Sequence, residues 1–186
     1  MAKDKENVIC LKGVASYPYL MTPNKDGKYE ITLMVDKKDE KTKREIDLAV
    51  KKAEDKGMQE VWKGVRPNGN LSPLKDGDGT RDNGNPYGDE CKNKWLLRAS
   101  SKFAPTVLKP DKTKMEDPAE MYGGCIVLVS VEFFPYYSNG RKGISCQLRN
   151  VWKLKDGEKL GRSSAEDDFA GINLSDILGD DDDILG

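Results

Sequence analysis

Histidine is absent from this 186-residue chain. Its absence removes the commonest general base and every Ser-His or Cys-His nucleophile arrangement, so the composition argues against enzymatic chemistry. The four cysteines, Cys10, Cys91, Cys125 and Cys146, are widely spaced and form no CxxC pair. With no histidine to complete a ligand set, they offer no zinc site. Cys10, Cys125 and Cys146 sit inside apolar stretches and are expected as buried free thiols, since reduced cysteine behaves there as a small hydrophobe. No cofactor is implied. No stretch reaches the roughly 18 to 20 apolar residues of a membrane span. The polar start Met1-Ala2-Lys3-Asp4-Lys5-Glu6 has no signal-peptide core, so a cytoplasmic protein without a membrane partner is expected.

Charge is abundant and unevenly placed. Charged residues make up 34% of the chain and hydrophobic ones 37%, which predicts a lean core under a heavily charged surface. The chain has 31 Lys and Arg against 32 Asp and Glu, a net of −1. Ser164 to Gly186, however, carries eight carboxylates and no base, so residues 1–163 hold a net charge of +7. The acidic segment ends in two copies of one phrase, Asp176-Ile177-Leu178-Gly179 and Asp183-Ile184-Leu185-Gly186, joined by Asp180, Asp181 and Asp182. A basic body tethered to an acidic peptide points to a polyanion binder that controls access to its own site. One domain over 1–163 and a disordered tail over 164–186 follow, because the tail has too few apolar groups to offset the entropy of ordering it.

The body reads as strands with one helix. Asn7 to Ala15 alternates and breaks at Tyr17-Pro18-Tyr19. The turn signal Asn24-Lys25-Asp26-Gly27 precedes a strong strand over Tyr29 to Val35. From Asp39 to Gly57 the period changes: Ile46, Ala49, Val50 and Ala53 mark one helical face, with Gly57 as the stop and a continuation through Val61 and Trp62 left open. Pro67 to Glu90 is a long Gly/Asn/Asp/Pro loop. Strands resume at Lys94–Lys102, Thr106–Lys109 and Cys125–Phe133. Asn139-Gly140 then signals a hairpin into Gly143–Lys153. Five or six strands with one inserted helix fit a small antiparallel barrel better than a parallel sheet.

Alternation also places cations. One face of Lys94–Lys102 holds Lys94, Leu96, Arg98, Ser100 and Lys102. One face of Gly143–Lys153 holds Ser145, Gln147, Arg149, Val151 and Lys153. Cations on every second residue lie about 7 Å apart, the order of a nucleic-acid backbone repeat. Tyr17, Tyr19, Tyr87, Phe134, Tyr136 and Tyr137 adjoin turns or prolines, where rings can stack on bases. Trp62, Trp95 and Trp152 are assigned to packing. The run Asp76-Gly77-Asp78-Gly79 invites a calcium reading. In an EF-hand register, though, Arg81 falls where glycine is required and Tyr87 where the bidentate Glu belongs, so a mobile polar loop is expected.

Several of these pieces, in this order, resemble the single-stranded DNA-binding proteins of tailed bacteriophages. They are Gly13 with Tyr17 and Tyr19, the Asp76–Gly79 loop, Trp95–Leu108, Tyr122-Gly123-Gly124-Cys125, Tyr136, Gly143-Ile144-Ser145 with Leu148, and Asp156–Gly161. The resemblance covers roughly residues 8–161. It implies a mainly β fold, a five-stranded oligonucleotide/oligosaccharide-binding (OB) barrel, in a protein of phage replication or recombination acting in the bacterial host cytoplasm. Lys94, Arg98, Lys102, Arg141, Lys142 and Arg149 are then expected along the DNA backbone, with Tyr17, Tyr19, Phe134 and Tyr136 against bases. Single-stranded DNA is the expected partner, with duplex DNA and a homodimer left open. Asp180, Asp181, Asp182, Asp183, Ile184 and Leu185 are expected to recruit phage replication or recombination proteins. The chain lacks the Pro-Phe terminus of bacterial single-strand-binding proteins, so phage-encoded partners fit better than host ones. An annealing or recombination mediator and a carboxylate-metal nuclease using residues 76–90 stay open as alternatives.

Overall fold

The computed structural model describes residues 7–160 and 168–179. Seven strands form one sheet: β1 (Val8–Tyr19), β2 (Tyr29–Asp36), β3 (Leu74–Asp76), β4 (Lys94–Ser101), β5 (Val107–Leu108), β6 (Ile126–Ser138) and β7 (Arg141–Lys155). The sheet runs β3-β4-β2-β1-β6-β7-β5, and a bridge between Ser100 and Gln147 joins β4 to β7. That bridge closes β1, β2, β4, β7 and β6 into a five-stranded OB barrel, antiparallel throughout except at the closing pair. Closure removes the exposed edges that an open sheet of these strands would carry.

Inward-facing apolar residues fill the barrel, among them Leu11, Ile31, Leu33, Leu97, Val129, Val131 and Leu148, none more than 2% exposed. Helix α1 (Glu40–Lys56) packs Ile46, Val50 and Ala53 onto this core. Asp39 caps it: one carboxylate oxygen accepts from the Thr42 backbone N–H at 3.1 Å and the other from the Thr42 hydroxyl at 2.7 Å. Gly57 does not stop the helix. It keeps right-handed helical angles (φ −59°, ψ −45°), and the chain continues through one wider turn over Gly57–Val61. The glycine is there for space, because a Cβ at Gly57 would lie 2.7 Å from the Trp62 ring. Trp62 is fully buried and its indole N–H donates to the Tyr136 carbonyl at 3.0 Å, tying the end of the helix to β6.

Four local expectations are corrected. First, β1 does not break at Tyr17-Pro18-Tyr19 but slips register between Ser16 and Tyr19 and runs on, the local bend of a β-bulge. Second, the alternation expected along β7 fails beyond Arg149. Ser130 pairs with Asn150 and Val131 with Leu148, so Arg149 is an extra, unpaired residue. After it the faces exchange: Val151 and Lys153 turn inward and are buried, while Asn150 turns out. Third, Cys10 is exposed, since β1 presents it outward opposite Ser130. Fourth, Pro67–Glu90 is not a featureless loop. It contributes β3, which pairs Leu74, Lys75 and Asp76 with Leu97, Leu96 and Trp95, and it closes a further bridge between Thr80 and Pro86.

The strand expected to end near Pro135 continues to Ser138. The β1 ladder stops at Glu132, so Pro135 sits where β6 has β7 as its one sheet neighbour and a missing N–H is tolerated. Asn139 (φ 51°) and Gly140 (φ 74°) then make the expected two-residue hairpin turn. Within the acidic tail, residues 168–179 are all exposed and include a short helix, α2 (Leu174–Leu178). Asp180 to Leu185 lie outside the described residues. Among the described residues no helix is long and apolar enough to cross a membrane.

Candidate nucleic-acid interface

Antiparallel pairing sets Ser16, Thr32 and Arg98 side by side on the outer surface of β1, β2 and β4. The segment from Pro73 to Cys91 rises beside this row and encloses an open groove of about 470 Å³. Tyr17, Lys75, Arg81, Tyr87, Leu96 and Arg98 line it. The β1 bulge aims Tyr17: its φ of 45° is uncommon for a residue with a side chain, and its ring is 64% exposed. Backbone held in that region is typical of functional positions. Across the groove the Arg81 guanidinium lies 4.9 Å from the centre of the Tyr87 ring, a cation–π contact that orients both groups. Two rings and three cations in one open groove can stack bases and track phosphates together.

The wall carrying Arg81 and Tyr87 is anchored by a clamp. Lys37 donates to Asp76 and to Asp78, each at 2.6 Å, and its ammonium lies 4.8 Å from the centre of the Trp95 ring. Asp78 also accepts from the Asn93 backbone N–H at 3.0 Å. The expected mobile aspartate loop is therefore tied to the barrel by its own carboxylates. Behind it Cys91 and Leu96 pack with Met34 in a small second core that Tyr87 covers. Hydrogen bonds from Lys37 pull both carboxyls below their usual value of 3.8, and the same bonds raise Lys37 above 10.5. Because the carboxyl values are lowered on folding, the clamp is intact above the ordinary carboxylate range. It is lost as pH falls through the lowered values. Lys37→Met keeps an unbranched side chain beside Trp95 but removes the charge. In that variant the Asp78 and Asn93 amides are expected to exchange about tenfold faster at neutral pH. Unchanged exchange would mean that the clamp does not hold the wall.

The structure divides the residues expected to contact DNA among several places. Tyr17 and Arg98 meet in the groove. Arg98 is not free there, since its Nε donates to Glu30 at 2.7 Å and a second guanidinium nitrogen donates to the same oxygen. Lys94 pairs with Asp36 at 3.0 Å, and Arg149, at the β7 bulge, pairs with Glu132 at 3.4 Å. The two faces read from β4 and β7 contain no acids, but the neighbouring strands β2 and β6 supply them. Glu30 lies opposite Ser100, and Gln147 lies opposite Glu132, so the two Arg–Glu pairs bracket the closing bridge. Phe134 and Tyr136 share the outer face of β6, opposite Ser145 and Gly143. Arg141 is exposed at the adjoining hairpin, and Lys142 lies 5.5 Å from the centre of the Tyr137 ring. Lys102 is exposed just beyond β4. Tyr19 points elsewhere, lining a small depression with Pro18, Met21, Pro118 and Met121.

Sequence reasoning missed Lys75 and Arg81, and noted Tyr87 only as a ring near a turn. All three lie in the stretch read as loop. An arginine six residues before a tyrosine was the available signal, but nothing local says that the stretch folds back beside β4. Phe103, 78% exposed just after β4, was likewise not singled out.

Solved phage proteins share this fold. A solved single-stranded DNA-binding protein from bacteriophage Enc34 is 27% identical and superposes with a TM-score of 0.70 over 89% of this chain and 91% of that one. The same protein in complex with ssDNA superposes with a TM-score of 0.72 at 27% identity, over 84% and 91%. The gp2.5 single-stranded DNA-binding protein of bacteriophage T7, 18% identical with a TM-score of 0.59 over 89% and 94%, shares the fold. Protein p50 of Acyrthosiphon pisum secondary endosymbiont phage 1 is 32% identical over 82 residues, 42% of this chain, and the match spans 44% of that relative. Residues 7–184 match the family model described as Enterobacter phage Enc34, ssDNA-binding protein, so the chain, barrel and acidic segment together, belongs to that family.

Proposed function

We infer that this chain is a non-enzymatic protein that binds single-stranded DNA with little sequence preference during phage DNA replication or recombination in the host cytoplasm. The observation that carries this reading is the groove itself, where Tyr17 and the Arg81–Tyr87 pair face Arg98 over an outer barrel surface. Lys75, Arg81 and Arg98 track phosphates in the groove, and Lys94, Lys102, Arg141, Lys142 and Arg149 extend the path around the barrel. Tyr17 and Tyr87 stack bases there, with Phe134 and Tyr136 as a second platform, and Tyr19 packs at the rim. The Enc34 relative, 27% identical, was solved in complex with ssDNA, which supports a nucleic-acid role for this chain.

The boundary at 163/164 separates the binding domain from a regulatory tail. The tail's carboxylates imitate a phosphate chain and compete for the cationic path. Once DNA displaces them, Asp180 to Asp183 with Ile184 and Leu185 are free for phage replication or recombination proteins. The nuclease alternative loses part of its carboxylate set, because Asp76 and Asp78 of the 76–90 loop are taken up by Lys37.

A salt-titrated binding assay tests both parts, using single-stranded and duplex DNA with the full chain and with a chain truncated after Ser163. On single strands log K is expected to fall by roughly 0.7 per neutralised phosphate for each decade of salt. Truncation is expected to tighten binding at moderate salt. Equal affinity of the two chains would argue against competition by the tail, and loss of preference for single strands in both would overturn the assignment.

A further inference from the structure

A second depression, about 410 Å³, lies on the outer side of β6, β7 and β5 and shares no residue with the groove. Its volume is in the range of pockets that seat apolar ligands, roughly 300 to 1,000 Å³. Leu108, Leu128 and Trp152 line it, with Cys10 of β1 at its margin. The β7 bulge creates it by exchanging the strand's faces ahead of Trp152. The Trp152 indole N–H donates to the Lys109 carbonyl at 3.0 Å, so the ring's polar edge is satisfied and apolar ring surface remains.

The rim is basic. The Lys112 ammonium lies 4.9 Å from the centre of the Trp152 ring, and exposed Lys12 stands opposite Leu128. Among the described residues no carboxylate lines the depression. Asp111, the acid of the adjoining turn, is engaged by the Thr113 backbone N–H at 2.9 Å and its hydroxyl at 2.6 Å.

We propose that this depression is a docking site for the chain's own acidic tail, which seats the Ile-Leu pair of an Asp-Ile-Leu-Gly unit on Leu108, Leu128 and Trp152 and sets its carboxylates against Lys12 and Lys112. An apolar floor inside a lysine rim is complementary to a branched apolar pair flanked by aspartates. In the described copy of the unit, Ile177 is 67% and Leu178 48% exposed, so both surfaces lose water on docking. Fifteen residues separate Leu160 from Asp176. Extended, they span ~50 Å, more than the roughly 40 Å diameter of a domain this size. Two copies of the unit raise the effective concentration at one site. The proposal does not depend on DNA binding in the groove.

Cys10 reports on the site without any added label. It is exposed, whereas Cys91, Cys125 and Cys146 are buried, and burial pushes the Cys91 and Cys146 thiols above their usual value. The experiment follows alkylation of the full chain by iodoacetamide. It compares the natural sequence with a variant carrying Ile177→Asp, Leu178→Asp, Ile184→Asp and Leu185→Asp, which keeps a strongly anionic tail. Cys10 is expected to react at least fivefold faster in the variant, and the rate in the natural chain should not change on fiftyfold dilution. Equal rates in the two chains would overturn the proposal. Protection that fades on dilution would also overturn it, assigning the site to a second copy's tail. Single-strand affinity measured on the same two chains separates the readings: protection of Cys10 without DNA binding would sink the groove assignment alone.

Discussion

Arg81→Ala combined with Arg98→Ala is expected to weaken single-strand binding roughly a hundredfold at low salt, about 3 kcal/mol for two charge-assisted hydrogen bonds to phosphate. The salt dependence should flatten with it, by about 1.4 in the slope of log K against log salt, or 0.7 for each phosphate no longer neutralised. Two features of the groove make this pair more sensitive than other cations. Removing Arg98 leaves Glu30, 16% exposed, without its guanidinium partner and facing the proposed DNA path with a net negative charge. Removing Arg81 also strips the Tyr87 ring of the cation that orients it. Fluorescence anisotropy over a salt series measures both effects, and an unchanged slope would place the phosphate path elsewhere. Tyr17→Ala serves as the contrasting variant. It should lose about 1 to 3 kcal/mol of stacking while leaving the slope alone, because the ring carries no charge.

Trp62→Ala is expected to destabilise the fold by about 3 to 5 kcal/mol, the range for removing a large buried ring. Against a total stability of about 5 to 15 kcal/mol, that is a large share. Thermal unfolding should begin roughly 6 to 20 °C lower, given about 2 to 4 °C per kcal/mol at this size. The side chain is fully buried, fills the space that Gly57 leaves by having no Cβ, and donates to the Tyr136 carbonyl. Its loss opens a cavity and leaves that carbonyl without its partner. Trp62→Phe keeps most of the packing and should cost about 1 kcal/mol, chiefly the hydrogen bond. Urea denaturation with tryptophan-independent circular dichroism distinguishes the two variants. A cost below about 1 kcal/mol for the alanine variant, no more than one hydrogen bond, would mean that the helix end is not what braces β6.

The outer edge of β6 links this stability argument to binding. Tyr136, whose carbonyl Trp62 holds, belongs to the Phe134–Tyr136 face, and the hairpin beyond it carries Arg141 and Lys142. A helix end buried for packing reasons therefore also fixes the base of a surface proposed to meet DNA.

Local chemistry by itself determined most of the elements. Ile46, Val50 and Ala53 at helical spacing, the alternation along β2 and β4, and the Asn139-Gly140 turn are properties of short windows, and the folded chain keeps them. The segregation of charge between residues 1–163 and the tail is likewise a property of the chain order alone. Tertiary structure decided what depends on neighbours distant in sequence. Arg98, Lys94 and Arg149 read as an unopposed cationic stripe until β2 and β6 bring Glu30, Asp36 and Glu132 beside them. Asp76 and Asp78 read as a loose loop until Lys37, some forty residues earlier, takes both carboxylates and raises Arg81 and Tyr87 into a wall. One bulge at Arg149 exchanges the faces of the residues that follow it in β7, burying Val151 and Lys153 and turning Trp152 outward. The physical reason is common to all three: alternation and turn propensity act over a few residues, whereas register and electrostatic partnership exist only after distant strands have paired.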